Sequence, residues 1–595
     1  MVATTPARIV GGMVCCGLLT AAVLTAQTQS GDTSTTYASQ LDVTVVNVHS
    51  VVTDKKGRPI EDLVQGDFAV LVDGEPADIT NFRLVPGRRA PISPPLALLV
   101  FVDLSSSETA RREEALTQLR LVLESGLRAD DQIMLVSRDT NAIRVLQGFT
   151  TDHAAIVAQL QTFADVAPQA LRSETEYADI VRELQRSMQQ GLAFIASVRE
   201  RQGQILMSRI QRHTQDAHER ISELMNELQA LAFSMAGVPG RRAMLYVGGD
   251  HPLRTGEALF NLWQAAYGVM SNPGSSEADA RLLMGGDDPN QVRPAFQTTP
   301  LQELFPDNRG VLMRLADVAN TQEIAVYAID ASSQHRSSLY SPQRLGVDVS
   351  VANLSAQTSQ SPESGLAARV STDGAMSLLT GTTGGTFAGS SESGDVLEEL
   401  LQEVTTFYSL GIHPTVEDTT IPHKIEVVVA RKGARIRHRE TFRIRTQDDL
   451  ALDRVRSALA FDSVSNELGV QLQLGAPEVL RGGVYTIPLA VRVPMDKVAL
   501  NAASTSHDAQ LSVFIVIQGA EVVDTVQKVV VPFSIPNEDI PAAFGRNLEY
   551  HVDLEAPGGD SKLAVGVRDD IAQSMSTLTL ELSPARAFRS ESGTR

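Results

Sequence analysis

The chain is long and acidic, and both properties limit what it can be. Its 595 residues exceed what one hydrophobic core holds, and at roughly 100–200 residues per domain they predict about three or four units. Hydrophobic residues make up 43% of the chain and charged residues 21%, which excludes general disorder. The formal net charge of -20 repels phosphate backbones, so nucleic acid is excluded as the expected partner.

Residues 1–26 have the pattern of an export signal peptide. Arg8 precedes an apolar run at residues 9–24, and the polar stretch after Ala26 favours cleavage there. The run of about 16 residues is slightly short for a bilayer, so a retained membrane anchor is the alternative, and the chain is expected at a membrane only if the leader is uncleaved. Export implies a periplasmic, cell-envelope or secreted location.

Residues 38–88 predict a small N-terminal β module. Asp73-Gly74 separates two runs of alternating apolar residues, which is a strong signal for a tight hairpin turn. The Pro-rich stretch at residues 86–95 is expected to be a linker. The module is therefore expected to fold before the next domain begins.

Residues 93–445 predict an α/β domain. Continuous apolar runs at 96–102, 132–136, 243–247 and 324–329 are typical of strands covered on both faces. Helical patterns alternate with them, which predicts a doubly wound, mostly parallel sheet with right-handed crossovers. Residues 251–310 and 336–372 are rich in Ser, Gly, Pro and Asp, and they are interpreted as loop insertions.

A long helical insertion is predicted at residues 181–236, where apolar residues recur at steps of three and four. We expect a break near Gly203, since an unbroken helix would be longer than the domain that it interrupts. The pattern favours an antiparallel pair packed on itself. The alternative is a coiled coil that joins copies of the chain into a homo-oligomer.

The last part of the chain is predicted to be fully β. A polar link at residues 446–453 leads into short strands separated by turn signals. This spacing predicts a C-terminal β-sandwich over residues 452–588.

The residues that carry chemistry follow the first buried strand. Asp103, Ser105 and Ser107 alternate on the turn where this strand ends, and ligands collect outside the carboxyl ends of strands in open α/β sheets. One carboxylate and two hydroxyls are hard oxygen donors, which suit Mg²⁺, with Mn²⁺ or Ca²⁺ as alternatives. Taken alone, the motif is also a common turn cap. As a metal site, it would leave positions open for an acidic residue of a protein partner.

In this context the chain resembles the von Willebrand factor A (VWA) family, and in particular the VWFA-related group typical of acidobacteria. The motif at Asp103 is similar to the start of that family's metal-ion-dependent adhesion site. The other landmarks that match the group are Val51-Val52-Thr53-Asp54, Asp73-Gly74, Ala325-Val326-Tyr327-Ala328-Ile329-Asp330, Thr383-Gly384-Gly385-Thr386-Phe387 and Phe407-Tyr408-Ser409-Leu410-Gly411. This resemblance implies a VWA Rossmann-like fold between a small β module and the β-sandwich.

The resemblance also implies two further metal ligands. Thr175 matches the family's loop threonine, with Ser173 in reserve, and Asp250 matches the aspartate after the fourth strand. Asp250 is displaced by one position, with Gly249 where the acid is expected, and would act through a water. The displacement leaves an intact and a degenerate metal site as alternatives.

Three classes of function follow. The first is an exported, non-enzymatic adhesion or scaffolding protein that binds an acidic residue of a protein ligand through the metal. The second is a structural envelope assembly protein with a degenerate metal site and helix-mediated oligomerisation. An enzyme is the third class, and it lacks sequence support because no Gly-x-Ser-x-Gly elbow and no phosphate-cradling glycine loop followed by Lys-Ser/Thr occurs.

Overall fold

A computed structural model of the chain describes residues 45–85, 94–139, 142–163, 172–190, 196–267, 306–332, 374–389, 397, 406–414, 421–461, 464–479, 484–519, 525–557 and 560–582. The chain divides into two compact units that meet in sequence at Ser463 and Val464. The expected leader, the insertion at 336–372 and most of the insertion at 251–310 lie outside the described residues. Within the described part of the chain, no helix is long and apolar enough to cross a membrane.

The first unit contains both strands and helices. Its strands are β1 (Val46–Thr53), β2 (Phe68–Val72), β3 (Glu75–Ala77), β4 (Ile79–Val85), β5 (Leu96–Asp103), β6 (Gln132–Arg138), β7 (Ile143–Thr150), β8 (Arg241–Gly248), β9 (Ile324–Asp330), β10 (Phe387–Gly389), β11 (Phe407–Ile412), β12 (His423–Val429), β13 (Arg435–Arg437) and β14 (Thr441–Phe442). Its helices are α1 (Thr109–Gly126), α2 (His153–Gln161), α3 (Arg172–Gln190), α4 (Ala196–Ser234), α5 (Glu257–Tyr267), α6 (Arg309–Thr321), α7 (Ala375–Thr383) and α8 (Gln447–Phe461).

A six-stranded sheet of order β10-β9-β8-β5-β6-β7 forms the centre of the first unit among the described residues. Neighbouring strands are parallel from β10 to β6, and β7 is antiparallel at the edge. Every residue of β5 is buried, because helices cover both faces of the sheet. Leu98 on β5 shares a core with Leu119 on α1, whereas Leu99 shares one with Leu228 on α4.

The β module differs from the expected N-terminal domain at 38–88. Its two sheets, β13-β1-β11-β4 and β14-β12-β2-β3, combine strands from both sides of the six-stranded sheet in sequence. Val46 on β1 pairs with Ile412 on β11, and Val70 on β2 pairs with Val427 on β12. Both sheets bury their apolar residues in one core. Strands β1 to β4 alone could not enclose this core, because β11 and β12 supply part of it. The boundaries at 88 and 445 are therefore corrected, since the strands after residue 406 complete the module.

The helical insertion is a group of three helices rather than a hairpin broken at Gly203. α3, α4 and α5 share one core, and α5 lies within the stretch 251–310 that was expected to be irregular. α4 continues for 39 residues through Gly203. The Gly203 carbonyl accepts a hydrogen bond from Trp263 Nε1 at 2.8 Å, and a Cβ there would lie 3.1 Å from the Tyr267 ring. The glycine thus permits close helix packing instead of ending the helix.

The polar link expected at 446–453 is the beginning of helix α8, so the first unit does not end at residue 452. Ala451, Val455 and Ala458 are buried at helical spacing, a period that the surrounding polar residues obscure in the sequence. The Ser457 hydroxyl accepts a hydrogen bond from the Gly237 backbone N–H at 2.7 Å. This packing places α8 with the α/β sheet, and the second unit begins at Val464.

The second unit consists of two antiparallel sheets with one core. Its elements are β15 (Gln471–Leu474), β16 (Glu478–Val479), β17 (Val484–Pro494), β18 (Asn501–Ala502), β19 (Ser506–Gly519), β20 (Thr525–Pro536), α9 (Ile540–Ala543), β21 (Asn547–Pro557), β22 (Ser561–Asp569) and β23 (Met575–Leu582). One described sheet joins β15, β16 and β21 to β17, and the other joins β18, β20 and β22 to β19, with β23 beside β22. Leu489 and Val565, from the two sheets, lie in the same core.

Candidate functional site

Asp103 ends strand β5 and is fully buried. Its Oδ1 accepts hydrogen bonds from the backbone N–H of Ser105 at 2.9 Å and from the Ser105 hydroxyl at 2.6 Å. Its Oδ2 lies 2.6 Å from the Ser106 hydroxyl and 3.1 Å from the Tyr246 hydroxyl, both oriented as donors. A carboxylate can accept about four hydrogen bonds, so these protein donors use the accepting capacity of Asp103. We call Asp103, Ser105, Ser106, Ser107 and Tyr246 the strand-end cluster.

Ser106 is central to the strand-end cluster, although the sequence pattern points to the serines on either side of it. Its Oγ accepts a hydrogen bond from the Gly249 backbone N–H at 2.8 Å, which joins the end of β5 to the end of β8. Gly248 approaches so closely that a Cβ would lie 2.5 Å from the Tyr246 hydroxyl and 2.9 Å from Asp103 Cβ. Close packing therefore accounts for Gly248, the glycine that ends β8.

Two arginines donate hydrogen bonds to the two serines expected to be metal ligands. Arg138 is the last residue of β6, and its Nη1 lies 3.0 Å from Ser105 Oγ. Its Nε donates to Glu227 Oε2 on α4 at 2.6 Å. Arg112 on α1 is 1% exposed and donates from Nη1 to Ser107 Oγ at 3.1 Å. Burial lowers the pKa of Arg112, but an arginine side chain remains protonated in proteins.

Asp250 caps helix α7, and its described hydrogen bonds do not reach Asp103. Its Oδ1 accepts from the Met376 backbone N–H at 3.0 Å and from the His251 backbone N–H at 2.9 Å. Gly374 lies so close that a Cβ there would be 1.6 Å from Asp250 Oδ2. The capping bond explains why an acid stands here, since it satisfies an unpaired N–H at the start of the helix.

His251, which is partly exposed in the loop after β8, lies beside the strand-end cluster. Its Nε2 is 3.3 Å from the Tyr246 hydroxyl. Burial is the main cause that lowers the pKa of His251, and Arg138 acts in the same direction, whereas Asp103 and Asp330 oppose them. The sequence signal for this placement is its position directly after the loop that follows β8.

Thr175 is exposed on helix α3 rather than in a loop. The buried face of this helix packs through Ile180 and Leu184 against the core that α3 shares with α4 and α5. No hydrogen bond of the described residues joins Thr175 to the strand-end cluster, and the side chain of Ser173 lies outside the described part of the chain. The match with the family's loop threonine is therefore not supported by this placement.

The strand-end cluster, as its side chains are arranged, does not fit a divalent cation. Asp103 is 0% exposed, Ser105 9% and Ser107 8%, so these side chains have little access to solvent. A Mg²⁺ about 2.1 Å from Ser105 Oγ would lie within about 5 Å of Arg138 Nη1, given the 3.0 Å between those two atoms. At an effective dielectric constant of about 20, the repulsion is about 7 kcal/mol, and the pairing of Arg138 with Glu227 offsets part of it. Among the described residues, no group of three His, Cys, Asp or Glu could hold a metal.

A scan against protein-family models finds no match to this chain, and a search of curated proteins finds none either. The VWA assignment therefore stays a hypothesis that depends on the sequence landmarks.

Proposed function

We propose that the chain is an exported, non-enzymatic scaffolding protein of the cell envelope, whose VWA-like unit binds protein partners without a metal. The observation that carries the proposal is the environment of Asp103. Its carboxylate is buried and surrounded by protein donors, and guanidinium groups donate to both serines of the motif. These contacts favour a degenerate metal site.

The non-enzymatic part of the proposal is supported by the partners of the motif's serines. Ser107, the last serine of the motif, accepts a hydrogen bond from the guanidinium of Arg112 and is 8% exposed. A serine nucleophile needs a neighbouring base that takes its proton, and a guanidinium cannot do so. These contacts therefore favour protein binding without a metal, rather than catalysis, as the function of this unit.

Assembly through the helical insertion has less support than the binding role. The apolar residues of α4 that recur at helical spacing are used within the chain, because Ile210 packs against α3 and α5, whereas Leu224 and Leu228 pack against the sheet. Ile205 and Phe233 are exposed. A coiled coil between two copies would need the buried residues at helical spacing. We therefore expect self-association, if it occurs, to use another surface.

Envelope extracts and the mature full-length chain provide the test. We expect immobilised protein to retain the same partners with and without EDTA, and the Asp103→Asn variant to behave in the same way. Light scattering of the purified chain should give the same molar mass in both conditions. Partners or oligomers that dissociate in EDTA and return with Mg²⁺ would contradict a metal-independent function.

A metal-dependent adhesion protein is the second candidate. The position of Asp103 and Ser105 favours it, since both lie at the carboxyl end of a central parallel strand, where ligands of such sheets collect. The serine hydroxyls can also rotate toward an ion. This candidate predicts that calorimetry detects Mg²⁺ binding and that Asp103→Ala abolishes it, and unchanged metal affinity in the variant would exclude the assignment.

A further inference from the structure

We infer that Arg138 is the built-in cation of the strand-end cluster and that its guanidinium keeps divalent metal ions out. This inference deepens the proposed function and rests on its metal-free site. A single residue, Arg138, is then the reason that the site binds no divalent metal ion.

The backbone fixes Arg138 beside Asp103. The two residues end neighbouring parallel strands and are register partners, and the backbone N–H of Leu104 donates to the Arg138 carbonyl at 2.9 Å. Arg138 Nη1 reaches Ser105 Oγ at 3.0 Å, and that hydroxyl donates to Asp103 Oδ1 at 2.6 Å. One hydroxyl thus connects the positive group to the negative one.

Glu227 holds the Arg138 side chain in this position. The ion pair measures 2.6 Å, and only 11% of the arginine side chain and 31% of the glutamate side chain are exposed. Glu227 belongs to α4, whose Leu224 and Leu228 are buried against the sheet. Because both partners lie on packed elements, the guanidinium cannot leave the cluster without breaking a partly buried ion pair.

The guanidinium of Arg138 puts a positive charge next to the position that a bound metal ion would take. An ion that used Ser105 Oγ as a ligand would lie next to Arg138 Nη1, and like charges at such a distance repel strongly in a partly buried site. Arg112 adds a second cation at Ser107 Oγ, 3.1 Å away. Both motif serines therefore already interact with a positive group of the chain.

Mn²⁺ binding to the full-length chain tests this role, with free Mn²⁺ measured by electron paramagnetic resonance. We expect no saturable binding by the wild-type protein. Arg138→Gln should bind Mn²⁺ saturably and at least about tenfold more tightly than the residual, non-saturable binding of the wild-type protein, because the repelling charge is gone. The matched control is Arg144→Gln on the neighbouring strand β7, which removes the same charge from a side chain that is 65% exposed and should bind no better than wild type.

Two further variants locate the effect and guard against misfolding. Asp103→Asn combined with Arg138→Gln should lose the gained affinity, which places the ion at the strand-end cluster. Should Arg138→Gln alone not fold, the double variant Arg138→Gln and Glu227→Gln removes both partners of the ion pair and should show the same gain.

Two results would overturn the inference: saturable wild-type binding that Asp103→Asn abolishes, or no gain in a folded variant that lacks the Arg138 charge. The second result, together with partner binding that resists EDTA, would reject the role of Arg138 and leave the proposed function intact.

Discussion

The two ends of the six-stranded sheet carry the same kinds of charged side chain in different surroundings. At the carboxyl end, hydroxyls surround the buried carboxylate of Asp103. At the amino end, the carboxylate of Glu323 lies 3.2 Å from Arg439 and 3.6 Å from Arg242. Arg439 also donates to the backbone carbonyls of Asn320 and Asn47, at 2.7 Å each.

The difference shows that the two ends serve different purposes. The arginines at the amino end bond backbone carbonyls, and Arg439 joins Asn47 of the β module to Asn320 of helix α6, which precedes β9. The hydroxyls at the carboxyl end can rotate and exchange partners. We therefore expect the amino end to contribute more to stability, and the carboxyl end to tolerate changes that alter binding.

The largest effect is expected from Arg439→Ala. This change removes three hydrogen bonds and leaves Glu323 without its nearer cation. Breaking a largely buried ion pair costs about 3–5 kcal/mol, which urea unfolding of the first unit would measure. Arg58→Ala is the control, because its side chain is 72% exposed and such pairs contribute at most about 1 kcal/mol. Equal losses in the two variants would remove the basis of the comparison.

Asp103→Ala should cost about 3 kcal/mol, somewhat less than Arg439→Ala. It leaves the hydroxyls of Ser105, Ser106 and Tyr246 without their acceptor, and each buried donor without a partner costs about 1–3 kcal/mol, although rotated hydroxyls recover part of this. The same unfolding experiment ranks the two variants. A larger loss for Asp103→Ala would reverse the proposed difference between the ends of the sheet.

A dependence of stability on pH is expected from the amino end. Burial lowers the pKa of His49 from 6.5 to about 4, with Arg241, Arg439 and Arg242 acting in the same direction and Glu323 opposing them. Between these values the unfolded chain binds a proton that the folded chain does not, so the free energy of unfolding falls as the pH falls. His49 should contribute a loss of about 2 kcal/mol between about pH 7 and about pH 5. His49→Gln should lack this contribution, and an unchanged slope in that variant would contradict it.

The smallest of these effects is expected for Asp250→Ala. The change removes the side-chain cap of α7 at Met376, and a lost cap costs about 1 kcal/mol. Asp250→Asn keeps an acceptor oxygen and should lose less. A loss of metal affinity rather than stability in Asp250→Ala, measured by calorimetry, would restore the metal role that the sequence suggests.

Local patterns predict much of the fold. The continuous apolar run at 96–102 predicts the strand that the structure gives as Leu96–Asp103, because such a run is typical of a strand covered on both faces. Long-range pairing has no local signal, and so β1 and β11 cannot be recognised as partners from their sequences. The helix at 447–461 was hidden because polar residues surround its buried positions.

The sequence predicts only the part of the candidate site that lies at the end of β5. Asp103, Ser105 and Ser107 lie at the end of β5, as the motif indicates. Their partners come from other elements, since Arg138 arrives through the register of β6 and Glu227 through the packing of α4. A match based on residue type and order placed Thr175 in the site, whereas the helical period of α3 leaves it on an exposed face.

The pairing of Val46 with Ile412 has a consequence for how the chain folds during synthesis. The first strands of the β module leave the ribosome long before their partners exist, and contacts so distant in sequence form slowly. A nascent chain shorter than this partner strand presents apolar strands with open edges, which associate readily with other chains. Fragments that stop before Ile412 should therefore aggregate.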